Sequence, residues 1–226
     1  IYRMTYNILN LPDTIQFENG NQIVNQYAAD GRKLGTINYT IYTPLMIPVT
    51  SICQWTIKSP EVSHNVFYYN GNHYYWYSPL TTMPNSPYTL KNIHTRNPEG
   101  YYKYTLPNSQ GYQYYRKDYL GNNKEVFLIG GGNTPYTIQR MQYHPSGLPW
   151  AQNYAASAQK YKFGDKEFIE THGYDSYEFG KRNLYSAINR WETPDPLMEK
   201  YPDTSPYANC GNDPVNNVDL RGDTIT

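Results

Sequence analysis

Residues 14–27 read Thr14-Ile15-Gln16-Phe17-Glu18-Asn19-Gly20-Asn21-Gln22-Ile23-Val24-Asn25-Gln26-Tyr27. Two short runs that alternate apolar and polar side chains flank an Asn-Gly pair. A period of two puts successive side chains on opposite faces of a strand. Asn19-Gly20 tolerates the positive φ that a tight hairpin turn demands. The stretch therefore predicts an antiparallel hairpin. Tyr27-Ala28-Ala29-Asp30-Gly31-Arg32-Lys33-Leu34 continues it into a second turn, at Asp30-Gly31, and Tyr6-Asn7-Ile8-Leu9-Asn10-Leu11-Pro12 precedes it as a strand end running into a turn. Further turns are marked at Asn70-Gly71-Asn72, Pro98-Glu99-Gly100, Gly121-Asn122-Asn123 and Pro145-Ser146-Gly147. Their spacing predicts a meander of short antiparallel hairpins.

Composition agrees with an all-β class. The 226 residues include 27 Tyr, 4 Trp, 16 Gly and 17 Pro. Tyrosine favours strands and buries a ring while its hydroxyl stays wet; Gly, Pro and Asn favour turns. Lys plus Arg and Asp plus Glu are 19 each, a net charge of zero, which argues against broad electrostatic binding of nucleic acid. No apolar run approaches the roughly 18 residues of a membrane span. The chain opens at Ile1, inside what reads as a strand, and is expected to be part of a longer polypeptide.

A long detour is expected over about residues 40–95. Within it, Thr43 to Pro60 is proline-rich and reads as irregular or edge structure. Asn65 to Tyr77 carries Phe67, Tyr68, Tyr69, Tyr74, Tyr75, Trp76 and Tyr77, and is expected to be covered on both faces. Thr81 to Pro87 reads as a loop and Gly130-Gly131-Gly132-Asn133 as a flexible turn. From about residue 184 strands give way to turns. Short helical turns are predicted at Pro196–Lys200, after Asp195, and at 205–210, with Ser205 as cap and Gly211 as stop.

Several segments resemble bacterial RHS/YD-repeat proteins, and residues 111–226 resemble the RHS repeat-associated core domain. Tyr115-Arg116-Lys117-Asp118-Tyr119-Leu120-Gly121-Asn122 looks like Y-x-x-D-x-L-G-N, and Tyr143-His144-Pro145-Ser146-Gly147 looks like Y-x-P-x-G. Tyr161-Lys162-Phe163-Gly164-Asp165-Lys166-Glu167 is similar to the stretch before the core motif. Tyr177-Glu178-Phe179-Gly180-Lys181-Arg182-Asn183 then resembles Y-D-F-G-A-R-x. Asn189-Arg190-Trp191, Thr193-Pro194-Asp195-Pro196-Leu197 and the stretch from Tyr207 to Asp219 follow in the family's order. The chain departs from the pattern at Glu178, Lys181, Leu184, Ser186 and Asn209. Asp219-Leu220-Arg221-Gly222-Asp223 stands where D-P-x-G-L is usual.

The resemblance implies YD-repeat hairpins over 1–110 and a core domain over 111–226. It implies a sheet that spirals into a hollow shell, with the core turned inward as a plug around a variable, often toxic, C-terminal segment. The implied location is secreted or cell-surface, and the implied partners are upstream repeats of the same polypeptide and that segment. It also implies an enzymatic alternative. Some relatives cut their own chain after D-x-x-G-L with two aspartates acting as acid and base. The matching positions are Asp195 and Asp219, with Arg190 placed to hold a carboxylate. The structural alternative is that Asp195 caps a turn and Asp219 fixes a loop.

No cofactor or metal is indicated. His64, His73, His94, His144 and His172 show no ligand spacing, and no G-x-S-x-G, P-loop or G-x-G-x-x-G occurs. Cys53 and Cys210 lack a C-x-x-C partner and read as separate thiols, with a disulfide as the alternative. Arg221-Gly222-Asp223 spells an adhesion tripeptide and Asn38-Tyr39-Thr40 a sequon, both within reach of chance. The aromatic stretch 67–77 reads as packing, with glycan or protein binding through residues such as Trp76 as a third reading.

Overall fold

The computed structural model describes residues 1–42, 46–48, 55–57, 61–77, 90–104, 111–129, 134–151, 153–155 and 159–223. Strands β1 (Arg3–Tyr6), β2 (Pro12–Gln16), β3 (Gln22–Tyr27) and β4 (Lys33–Tyr42) come first. β5 (Met46–Pro48) and β6 (Trp55–Ile57) follow. Then come β7 (Glu61–Asn70), β8 (His73–Tyr77), β9 (Leu90–Asn97), β10 (Gly100–Lys103), β11 (Gly111–Lys117), β12 (Asn123–Ile129) and β13 (Pro135–Arg140). All but β5 and β6 join one 11-stranded antiparallel sheet in chain order. The chain is all-β, as expected, and no α-helix occurs among the described residues.

One turn device recurs along the meander. A side-chain oxygen accepts the backbone N–H two residues on, and a residue at positive φ reverses the chain. Asn19 accepts from Asn21 (3.1 Å) with Gly20 at φ 85°, Asp30 from Arg32 (3.0 Å) with Gly31 at 84°, and Asp118 from Leu120 (3.0 Å) with Gly121 at 82°. Asn7 does the same toward Leu9 (2.9 Å), with Asn10 as the left-handed residue.

The detour is narrower than expected. β4 pairs directly with β7, and β7, β8 and β9 are ordinary members of the large sheet. Among the described residues between β4 and β9, the excursion between β4 and β7 leaves it, carrying β5 and β6 as a separate pair. The loop predicted at Thr81 to Pro87, the Gly130–Asn133 turn, and Cys53 lie outside the described residues.

Register identifies the buried face of the large sheet. Ile15 pairs with Ile23, Asn25 with Thr36, Tyr101 with Gln113, and Val126 with Gln139, and all eight are buried. Residues 141–223 fold back over this face. That cover contains a second antiparallel sheet of β14 (Glu167–Ile169), β15 (Ser176–Glu178), β16 (Asn183–Tyr185) and β17 (Arg190–Trp191). Strands thus persist slightly past residue 184. Phe168, Tyr177, Phe179, Leu184 and Trp191 form the cover's own core, with Phe163 packed against it. A second cluster joins cover to sheet: Ile169 and Tyr174 pack on Ile15, Phe17 and Ile23. Burying such side chains contributes roughly 1.5–3 kcal/mol each.

One face of the aromatic hairpin β7–β8 lies beneath the cover, and on the other Val66 is buried. Phe67, Tyr69 and Tyr74 share the face beneath the cover, with ring centroids 5.5 Å (Phe67–Tyr74) and 5.3 Å (Tyr69–Tyr74) apart. On the opposite face Tyr68 is 42% exposed. The Trp76 side chain lies outside the described residues. Near the C-terminus, Met198–Lys200 forms the expected short turn as a 3-10 helix. The second turn differs. Ala208 N–H bonds the Ser205 carbonyl (2.9 Å), but the 3-10 turn covers Cys210–Asn212 and contains Gly211 at φ 62° instead of stopping there.

Candidate functional site

The two candidate aspartates meet on one arginine. Arg182 is 1% exposed. Its Nη2 lies 2.7 Å from Asp195 Oδ2 and 3.4 Å from Asp219 Oδ2. Its Nη1 donates to the Pro206 carbonyl (3.0 Å), its Nε to the Gly222 carbonyl, and its guanidinium stacks 4.4 Å from the Trp191 ring. Burial pulls the guanidinium below its usual pKa, and Asp195 and Asp219 oppose that pull.

The remaining oxygens hold backbone. Asp219 Oδ1 accepts the N–H groups of Arg221 (3.1 Å), Gly222 (2.6 Å) and Asp223 (3.1 Å). Asp195 Oδ1 accepts the Leu197 N–H (2.7 Å) and so caps the turn that follows. What the two carboxylates share here is a guanidinium nitrogen; an aspartyl dyad shares a proton. The geometry staples three chain segments, at 182, 195 and 219–223, around one buried cation.

Arg190 does not fill the role expected of it. It donates to Asn212 Oδ1 (2.6 Å) and to the Asn189 carbonyl (3.4 Å), while Arg182 makes the carboxylate contacts. Arg182 lay inside the Tyr177–Asn183 motif, so the signal was present in the sequence. The adhesion tripeptide is not displayed as such, because the Gly222 N–H and carbonyl are both bonded inward and Gly222 is buried. Cys210 is a free, buried thiol, which burial pushes up to about 11. No cluster of three or more metal-ligating residues occurs among the described residues. No helix among them is long and apolar enough to cross a membrane.

The sequence reading missed a second site, the charged seam between sheet and cover. Lys33 on β4 contacts Glu178 at 2.5 Å and Glu167 at 3.9 Å. Glu167 also meets Lys160 (2.9 Å) and the Tyr69 hydroxyl (2.8 Å). Farther along, Asp165 receives Arg96 (2.5 Å), Lys117 (3.0 Å) and Asn123 Nδ2 (2.9 Å). Burial pulls Lys33 down, but Glu167 and Glu178 more than offset this and hold it above its usual value. Burial pushes Glu167 up, yet Lys160 and Lys33 hold it below the carboxylate range. Lys160 itself is drawn down to about 8, chiefly by burial. These ions belong to partners far apart in the chain, and no local motif announces them.

No protein-family model matches the chain, and no curated protein matches it. Solved structures do. The chain is similar to chains in the crystal structures of TcdB2-TccC3-Cdc42 (TM-score 0.67, 17% identity) and of TcdB2-TccC3 (0.64, 16%). It is also similar to TcdB2-TccC3 without its hypervariable C-terminal region (0.66, 16%). Each match covers 97% of this chain and 10% of the other. The chain thus spans about a tenth of the length of the chains it matches, and shares their fold over nearly its whole length.

Proposed function

We propose that this chain is a wall-and-plug segment of a secreted or cell-surface RHS/YD-repeat protein that encloses a variable C-terminal segment. In this reading residues 1–110 are repeat hairpins and 111–226 the core domain. The observation that carries it is the covered sheet: one face is closed by the chain's own residues 141–223 through buried ion pairs such as Lys33–Glu178. The end strand β1 has a single sheet neighbour, which suits continuation into upstream repeats, whereas the outer edge of β13 is already bridged at Arg140 by Tyr154. The fold likeness supports it, since one similar structure is described as lacking a hypervariable C-terminal region. The test is protease accessibility of a tag placed at the C-terminus of the full-length protein. The reading expects protection that Lys33→Glu abolishes. Equal cleavage in both would refute it.

A second reading is self-cleavage beside Gly222. The observation favouring it is the Arg182 Nε–H on the Gly222 carbonyl, with Asp195 and Asp219 on the same guanidinium. A charged donor there would polarise the peptide bond to Asp223. The intact mass of the full-length protein decides. A break near Gly222 that Asp195→Asn abolishes supports cleavage; one uncut mass in the wild type leaves the aspartates structural.

A further inference from the structure

A cavity of about 360 Å³ opens along the seam between sheet and cover. The sheet lends it Arg32, Lys33, Tyr69 and Arg96, and the cover lends Tyr161, Lys166 and Phe179, with the carboxylates Asp165, Glu167 and Glu178. This volume lies in the range of small-molecule sites.

The charges do not balance. Each carboxylate is already held at 2.5–3.0 Å: Asp165 by Arg96 and Lys117, Glu167 by Lys160, and Glu178 by Lys33. Lys166 has no ion-pair partner among the described residues; its ammonium stands 5.3 Å from the Phe179 ring centre. Arg32 has only a long contact, 3.7 Å, to Asp30, and both side chains are 64% exposed. The unspent charge is therefore positive and sits at the mouth. Burial, then Arg96, draws Lys166 below its usual value, with Asp165 and Asp219 opposing. Rings of Tyr69, Tyr161 and Phe179 line part of the walls beside this charge.

We propose that this cavity is a binding site for a small phosphate-bearing anion. Arg32 offers a planar fork suited to two phosphate oxygens, and Lys166 a point charge on a third. The aromatic walls leave room for the organic part of a phosphate monoester. Because Arg32 belongs to the sheet side and Lys166 to the cover, the ligand bridges them and favours the closed arrangement. The site stands independently of the shell reading, since it needs only the seam.

The experiment titrates the full-length protein with inorganic phosphate at constant ionic strength, read by calorimetry and by the unfolding midpoint. Saturable binding and a rising midpoint are expected, with chloride at equal ionic strength giving neither. Lys166→Gln should weaken binding about tenfold, the scale of one charge-assisted contact. Arg32→Gln, at a side chain 64% exposed, should weaken it by several-fold, and Lys124→Gln, outside the cavity, should leave it unchanged. Absence of saturation, or wild-type affinity in either cavity variant, would overturn the proposal.

Discussion

The Lys33 ammonium and the Glu178 carboxylate lie 2.5 Å apart although 145 positions separate them in the chain. The lysine side chain is 6% exposed and Glu167 lies 3.9 Å away, so one buried cation serves two carboxylates of the cover. Removing one member of such a group leaves charge buried without compensation. Lys33→Met should therefore cost about 3–5 kcal/mol, read as a fall in the denaturant midpoint. Amide exchange in β14 and β15 should quicken with it. Pairing Lys33→Met with Glu178→Leu should recover part of the loss.

Arg182 is the corresponding centre within the cover. Arg182→Met removes the cation that Asp195, Asp219 and the Gly222 carbonyl share. Limited proteolysis should then cut within 219–223 faster than in the wild type, at a stability cost of about 3–5 kcal/mol. Arg190→Met should change neither reading much, because its partners are Asn212 and its neighbour's carbonyl.

These two centres show what the sequence discloses and what it withholds. Local chemistry was legible: Asn19-Gly20 and Asp30-Gly31 make the turns they announce, and alternation about them gives the strands. The aspartates Asp195 and Asp219 were also legible as a meeting pair, through the order of motifs around them. The cation that joins them was misassigned to Arg190, because two successive motifs, Tyr177–Asn183 and Asn189–Trp191, each carry an arginine and only the fold selects between them. The seam was not legible at all. Lys33, Lys160, Glu167 and Glu178 read singly as solvated charges, and become a buried network only when residues 141–223 close over the sheet. For β7–β8, aromatic content likewise does not tell which face a distant segment will cover: Tyr69 and Tyr74 lie under it, while Tyr68 on the other face is 42% exposed.

Acid should weaken the protein through its half-buried histidines His94 and His172. His94 lies between Tyr74 (4.9 Å) and Tyr101 (5.5 Å), and burial, with Lys160 nearby, lowers it to about 3. The unfolded chain binds that proton near pH 6.5, while the folded chain refuses it until far lower. Stability is thus lost as pH falls from 6.5 toward 3, at up to about 1.4 kcal/mol per pH unit for one group. His172, lowered by burial, acts in the same direction. His94→Phe should flatten the slope of unfolding free energy between pH 5 and 6.5. An unchanged slope would place the acid sensitivity elsewhere.

Gly100 is required by packing rather than by φ. A Cβ there would stand 1.9 Å from the Gln113 carbonyl oxygen across the β10–β11 pair. The nearest atoms, of Gln113 and Tyr114, are all backbone and leave nothing flexible to yield. Gly100→Ala should cost about 3 kcal/mol or more, read by thermal unfolding, whereas Gly121, with open space beside it, should show only the strain of its positive φ on the same change.

The central claim is that the large sheet is wall and residues 141–223 are its inner lining. A cryo-electron microscopy map of the full-length protein tests this most directly. It should show strands paired onto β1 and onto the part of β13 that the Arg140–Tyr154 bridge leaves open, a closed wall, and the Lys33–Glu178 face turned to the enclosed side. A sheet that ends at β1 and β13, or a cover turned to the outside solvent, would contradict it.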